Sequence, residues 1–285
     1  MPFRMVVTDL DGTFMCDFHT PHPDNVRAAQ ACRAQGVTVC ACTGRMWTES
    51  RGALSRAQIT GLCAINNGAT IIDIQTGQVR RSVRFDPKAV PRLLERAICD
   101  FDAQFLVAGT YETHMLRTHA FPYHLKKRKE LQKADPAWAR CIHVYDTFDE
   151  LVSGCAQDAQ QINLGVCLYD LCNLRRVQDT LSAIADVEIT ASGPGTMEIT
   201  PQHVNKGTGV AAMARMMDVP YQEVIAFGDS YNDAQMLLWA GTGVAMGNAD
   251  ERLKQVADQV AEPNTRGGVA KVLNTLVLHS SRRQA

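Results

Sequence analysis

The chain has 285 residues, 46% hydrophobic and 21% charged, with 29 lysines and arginines against 30 acidic residues for a net charge of −1. That length suits one large domain or two ordinary ones. The charge balance argues against a protein that holds a nucleic-acid backbone, and the composition excludes a disordered or fibrous chain.

The opening segment MPFRMVVTDLDGT reads as a strand entering a turn rather than a signal peptide. No apolar run approaches the roughly 18 to 20 residues that cross a bilayer. The ten cysteines are dispersed, with no CxxC pair or zinc-finger spacing. They are expected to be reduced core thiols in a cytoplasmic protein that has neither membrane nor nucleic acid as a partner.

In chain order, strands are expected at Met5 to Thr8, Val37 to Cys42 and Cys63 to Asn66, with a helix at Asn25 to Gln35. Later come a helix at Gly207 to Met217, a strand at Glu223 to Phe227, a helix at Asp233 to Trp239, a strand at Gly243 to Met246 and a helix at Gly267 to Leu276. Short β-branched runs alternating with helical periodicity predict an α/β fold with a parallel sheet covered by helices on both faces. The key strands run into polar turns, T-D-L-D-G-T, C-T-G-R, N-N-G-A and G-D-S-Y-N-D, which should converge on one crevice beyond the strands' carboxyl ends.

The middle third differs. A helical stretch at Lys88 to Phe101 precedes strand-like FLVAGTYETHML, basic HLKKRKEL, strand-like IHVY and INLGVCLYD, and helical RRVQDTLSAI. This order predicts an inserted α+β module with a mainly antiparallel sheet at 85–188, interrupting a core of 1–84 and 189–285, with SSRRQA as a frayed tail.

Asp9 and Asp11 sit two apart at the end of the first strand, so in extended backbone both carboxylates can face one cavity, and Gly12 permits a sharp departure. Asp229 and Asp233 follow the apolar VIAF in the same way. Gathered carboxylates repel unless something neutralises them, and a hard divalent cation does so; Mg²⁺ suits carboxylates, waters and a phosphate oxygen. Thr43, Gly44 and Arg45 offer a hydroxyl and backbone donors for phosphate oxygens, while Lys206, one of eight lysines, adds an ammonium at a helix start.

In this order, D-x-D-G-T, T-G, N-K-G and G-D-x-x-N-D resemble the haloacid dehalogenase (HAD) superfamily of phosphatases and phosphotransferases. I-N-N-G-A at 65–69, M-E-I-T-P at 197–201, N-K-G at 205–207 and G-V-A-M-G-N-A at 243–249 are similar to its Cof-type branch, subclass IIB. The resemblance implies a Rossmann-like three-layer core with an inserted α+β cap of the C2 type. It implies Asp9 as the nucleophile that becomes a phosphoaspartate, and Asp11 as the acid and then base. Mg²⁺ would be held by Asp9, the Asp11 carbonyl and Asp229, supported by Asp233. Thr43, Gly44 and Lys206 would grip the phosphoryl group, completed by Asn232. Arg266, in N-T-R-G-G-V-A, stands where the family often has acidic residues, and Phe14 where leucine is usual.

A cap of this kind is expected to close over the site and choose the leaving group, with His114, His119, Tyr123, His124 and the KKRK run at 126–129 as candidate contacts. A solvated basic helix face is the competing reading of that run. The expected partner is a small phosphorylated metabolite, a sugar phosphate or phosphorylated coenzyme, handled by a monomer or homodimer. A phosphomutase of the same superfamily, or a phosphometabolite-binding protein without turnover, are the alternatives.

Overall fold

A computed structural model describes residues 3–17, 19–101, 104–117, 140–165, 171–193 and 196–278. His119, Tyr123, His124, the 126–129 run and the tail from 280 lie outside the described residues. The chain divides into two compact units: Met1–Arg45, Ser50–Ser82 and Asn205–Ala285 form the first, Met46–Glu49 and Val83–Val204 the second.

The first unit is built on an eight-stranded sheet. Strands β1 (Met5–Thr8), β2 (Thr38–Cys42), β3 (Leu62–Ile65), β12 (Val224–Gly228), β13 (Thr242–Ala245) and β14 (Gln259–Val260) run parallel. β4 (Thr70–Asp73) and β5 (Val79–Ser82) add an antiparallel edge. Each of the five parallel strands read from sequence lies within one residue of its expected ends.

β1 is M-V-V-T and buried throughout, with Val7 beside Cys40 on one side and Ala226 on the other. A continuous apolar run is what a strand needs when both faces of its sheet are covered. Met5 and Val7 pack in a cluster with Val210, Met213, Met236 and Leu237, supplied by α6 (Lys206–Met216) and α7 (Ala234–Trp239). Helices α1 (Pro23–Ala34) and α9 (Gly268–Leu273) pack together. α2 (Trp47–Ala57), α8 (Glu251–Val256) and the β4–β5 hairpin are additions to the elements read from sequence.

After β1 the chain places β2 and β3 on one side and later returns to add β12, β13 and β14 on the other. The strand order therefore reverses beside β1, the place past the carboxyl ends where open parallel sheets hold their ligands.

The second unit carries a six-stranded sheet in the order β10-β11-β9-β6-β7-β8. Its strands are β6 (Gln104–Ala108), β7 (Thr113–Leu116), β8 (Ile142–Tyr145), β9 (Gln161–Gly165), β10 (Val187–Gly193) and β11 (Thr196–Pro201). All neighbours pair antiparallel except β7 and β8. Helices α3 (Ala89–Phe101), α4 (Phe148–Cys155) and α5 (Leu171–Ser182) bury Leu93, Leu94, Leu151, Val177 and Leu181 with Phe105, Val107, Ile162 and Ile199 of the sheet. The unit runs past residue 188, where the sequence outline ended the insert, because β11 pairs with β9 and carries β10 with it.

His114 is not a surface group of this unit. It is 3% exposed, its Nδ1 lies 3.0 Å from the Tyr145 hydroxyl, and its ring stacks on His143. Strand alternation puts it on the same face as Leu116, which packs against the helix-covered core. Among the described residues no helix is long and apolar enough to cross a membrane, and Cys16, Cys32, Cys40, Cys42, Cys63, Cys99, Cys141 and Cys155 are free thiols.

Candidate active site

Asp9 leaves β1 still extended, and its N–H donates to the Phe227 carbonyl at 2.9 Å, so the β1–β12 pairing carries its carboxylate just past the carboxyl end of the strand. The chain then turns at Gly12, whose φ is +73°. A Cβ at this position would lie 2.3 Å from Asp229 Oδ2, so glycine is required both for the backbone and for the close approach. Thr13 Oγ1 donates to Asp229 Oδ1 at 2.8 Å, tying this turn to the one after β12. Asn248, from G-V-A-M-G-N-A, braces it further by donating from Nδ2 to the Gly12 carbonyl at 2.9 Å.

Lys206 is the first residue of α6, whose start is fixed by a capping box between Asn205 and Thr208. Its Nζ donates to Asp9 Oδ1 at 2.8 Å and to Asp233 Oδ1 at 2.5 Å. The second oxygen of Asp233 accepts the N–H groups of Asp229 at 2.9 Å and Ser230 at 3.0 Å. Asp233 therefore has both oxygens engaged and holds the ammonium and the Asp229 turn in place. Lys206 is 2% exposed, Asp9 4% and Asp233 0%, so these charges meet away from bulk water.

Burial raises the Asp9 carboxyl well above its usual range, against the pull of Lys206 and with the help of Asp233 and Asp229. Burial, and next the charge of Asp233, pushes Asp229 up to about 7. Desolvation works against the Lys206 ammonium, but Asp233 and Asp9 outweigh it and raise its pKa well above normal. Three carboxyl groups facing one ammonium leave a deficit of positive charge. Asp9, Asp229 and Asp233 each bring an oxygen within 4.8 Å of the others. A hard divalent cation such as Mg²⁺ fits that donor set and that deficit.

Asp11 stands apart from the three. Its carboxylate is gripped by the guanidinium of Arg45, with Nε to Oδ2 at 2.6 Å and Nη2 to Oδ1 forming the second arm of the fork. The Arg45 side chain is 5% exposed and that of Asp11 46%, so the cation is the fixed partner. Thr43 is buried at the end of β2, and its Oγ1 accepts the Arg45 N–H at 3.2 Å across Gly44. Asn232, 7% exposed, donates from Nδ2 to Asn67 Oδ1 at 3.2 Å. Arg266 is outward, 72% exposed in its side chain and 3.6 Å from Glu262.

The first unit thus gathers Asp9, Lys206, Asp229 and Asp233 by direct contact, with Asp11 and Thr43 joined to them through chain turns and Arg45. Sequence reading assigned no part to Thr13, Asn67 or Asn248, and credited Arg45 only with a backbone donor. The available signals were the T after D-x-D-G, the N-N-G and M-G-N turns, and a cation directly after T-G.

The family model of the haloacid dehalogenase-like hydrolases matches residues 6–273. The 5-amino-6-(5-phospho-D-ribitylamino)uracil phosphatase YcsE of Bacillus subtilis is 25% identical over 279 residues, covering 96% of each chain. The phosphoglycolate phosphatase of Methanosarcina mazei is 26% identical over 277 residues, covering 97% of each. A solved haloacid dehalogenase-like hydrolase from B. subtilis shares the fold with a TM-score of 0.82 at 23% identity, over 96% of this chain and all of that one. The HAD subclass IIB sugar phosphatase BT4131 does so with a TM-score of 0.75 at 20% identity, over 95% and 98%. With that match running from β1 to α9 across all the motif turns, the chain belongs to the haloacid dehalogenase-like hydrolases, in their Cof-type branch.

Proposed function

We propose that the protein is a Mg²⁺-dependent phosphatase that hydrolyses small phosphorylated metabolites through a phosphoaspartate on Asp9. The observation that carries this reading is the buried contact of Asp9 with Lys206 at 2.8 Å, at the carboxyl end of β1 and within the three-carboxylate cluster. A lone buried Asp would favour its neutral form; the Lys206 ammonium favours the ionised oxygen that a nucleophile needs.

Asp9 Oδ attacks phosphorus, the P–O bond to the leaving group breaks, and the departing oxygen takes a proton from Asp11. Water then attacks the phosphoaspartate, giving its proton to Asp11, and the acyl-phosphate P–O bond breaks to release phosphate and restore Asp9. Asp11 can act in this way only after exchanging the Arg45 fork for the substrate oxygen, because the fork occupies both of its oxygens. Thr43, Gly44, Lys206 and Asn232 orient the phosphoryl group and meet its charge. Asp9, Asp229 and the carbonyl of Asp11 would hold Mg²⁺, with Asp233 supporting them; the ion would supply Lewis-acid stabilisation of charge on the phosphoryl oxygens.

The relatives named above act on a phosphoribitylaminouracil and on phosphoglycolate, which supports a small organic phosphate as the substrate class. The second unit, built around the inserted segment, serves as the cap that selects among leaving groups. Free phosphate release from p-nitrophenyl phosphate in Mg²⁺ tests the reading, and its disappearance in Asp9→Asn tests the nucleophile. An isomerised sugar phosphate in place of free phosphate would make the protein a mutase instead.

A further inference from the structure

One buried turn bonds two of the residues that would hold the phosphoryl moiety, Thr43 and Asn232, and presses on Asn205, the residue before a third, Lys206. Asn66, Asn67 and Gly68 follow β3 with φ values of +48°, +53° and +96°. Successive left-handed residues are costly for side chains, although asparagine bears the conformation better than most. Such a turn persists only where its surroundings hold it.

Those surroundings can be named. The Asn66 N–H donates to the Arg45 carbonyl and the Asn67 N–H to the Thr43 carbonyl, both at 3.0 Å, fastening the turn to the segment after β2. A Cβ on Gly68 would lie 2.5 Å from the Asn205 carbonyl, so the turn presses against the start of α6 where Lys206 begins. From the same turn, the Asn67 side chain accepts the Asn232 amide at 3.2 Å. Both asparagines are buried, at 1% and 7% exposure. This bond ties the two side-chain amides together, with Asn232 Nδ2 directed to Asn67 Oδ1.

We infer that Asn67 is a positioning residue for phosphate binding: held left-handed between Thr43 and the start of α6, it fixes the amide of Asn232 in register with Thr43 and Lys206. This rests on the phosphatase reading, and it assigns to the N-N-G turn a part that the reaction steps do not use directly.

A double-variant cycle tests it, with wild type, Asn67→Gly, Asn232→Ala and both together. The measurements are kcat/KM for p-nitrophenyl phosphate and inhibition by inorganic phosphate, in Mg²⁺. Glycine suits the left-handed backbone, so Asn67→Gly removes the amide and leaves the turn. The expected result is a loss of about tenfold in kcat/KM for Asn67→Gly, weaker phosphate inhibition in parallel, and less than about a further twofold loss when it is added to Asn232→Ala. Losses that multiply, or an Asn67→Gly variant with wild-type kcat/KM, overturn the inference. Should Asn67→Gly not fold, Asn67→Ser in the same cycle decides by the same criterion. A wild-type protein that releases no phosphate overturns the phosphatase reading instead. The cycle is then read from inorganic phosphate binding alone, where coupling supports the positioning role and additivity overturns it.

Discussion

Two clusters of ionisable side chains occupy the two units, each around a buried member, and they solve opposite problems. In the second unit, His114, His143 and Tyr145 stack with ring centroids 5.2 to 6.5 Å apart, and His114 bonds the Tyr145 hydroxyl. Burial, then the neighbouring His143, lowers the His114 pKa, so this group rests neutral and its polarity is met inside the unit. In the first unit, Asp9, Asp229 and Asp233 are crowded around one ammonium. Such a cluster stores unfavourable charge that the protein's own groups do not cancel. A neutral histidine bonded within its own unit builds structure; an uncancelled charge deficit marks where a further charged species belongs.

The sharpest way to break this contrast is Asp9→Asn. Phosphate release should fall at least about 10³-fold, the scale of losing a covalent nucleophile. In metal-free buffer the variant should melt no lower than wild type, because one crowded carboxylate has gone. A variant that keeps turnover, read by phosphate release, would remove Asp9 from its assigned part.

Chelation comes next. Activity should vanish in a strong chelator and return with added Mg²⁺. At a hundredfold excess of Mg²⁺ over its Kd the ion should add about 2.7 kcal/mol of stability, readable as a thermal shift.

The two clusters should also respond to pH with opposite sign. Asp229 has a folded pKa of about 7, above its usual carboxylate value, so between those values the folded state holds the proton more tightly. Metal-free protein should therefore lose stability as pH rises from 5 to 8, by on the order of a few °C in Tm. Mg²⁺ needs the ionised carboxylates, so its thermal shift should be larger at pH 8 than at pH 5. His114 is depressed instead, so its contribution is present above the usual histidine value and fades as pH falls through the lowered one.

The smallest effect is expected at His114 itself. His114→Phe should flatten the acid side of the stability profile and cost about 1 kcal/mol through the lost bond to Tyr145. KM for p-nitrophenyl phosphate should stay unchanged, and a large rise in KM would return His114 to the substrate contacts.

Much of the first unit was legible because its signals are local. The run M-V-V-T is apolar because its strand is covered on both faces, and the acids directly after it need no distant information to be noticed. The second unit was legible as a class but less well in outline. β11 reads as motif residues M-E-I-T-P, and only its pairing with β9 shows that it belongs to that sheet. α4 did carry a local signal, the capping box of Thr147 and Glu150, ahead of a short apolar face.

The sequence alone determined the chemistry's ingredients: a D-x-D-G-T turn, a lysine opening a helix, paired acids after a second strand, and an insert of different texture. These follow from residue type and short spacing, which act over a few bonds. Only the tertiary structure decided who touches whom. Lys206 reaches Asp9 across 197 positions of chain, Asn232 reaches Asn67 across 165, and Arg45 takes Asp11 across 34. Those pairings depend on the strand order beside β1 and on which atoms remain within hydrogen-bond reach once the sheet is packed, and no local pattern encodes them.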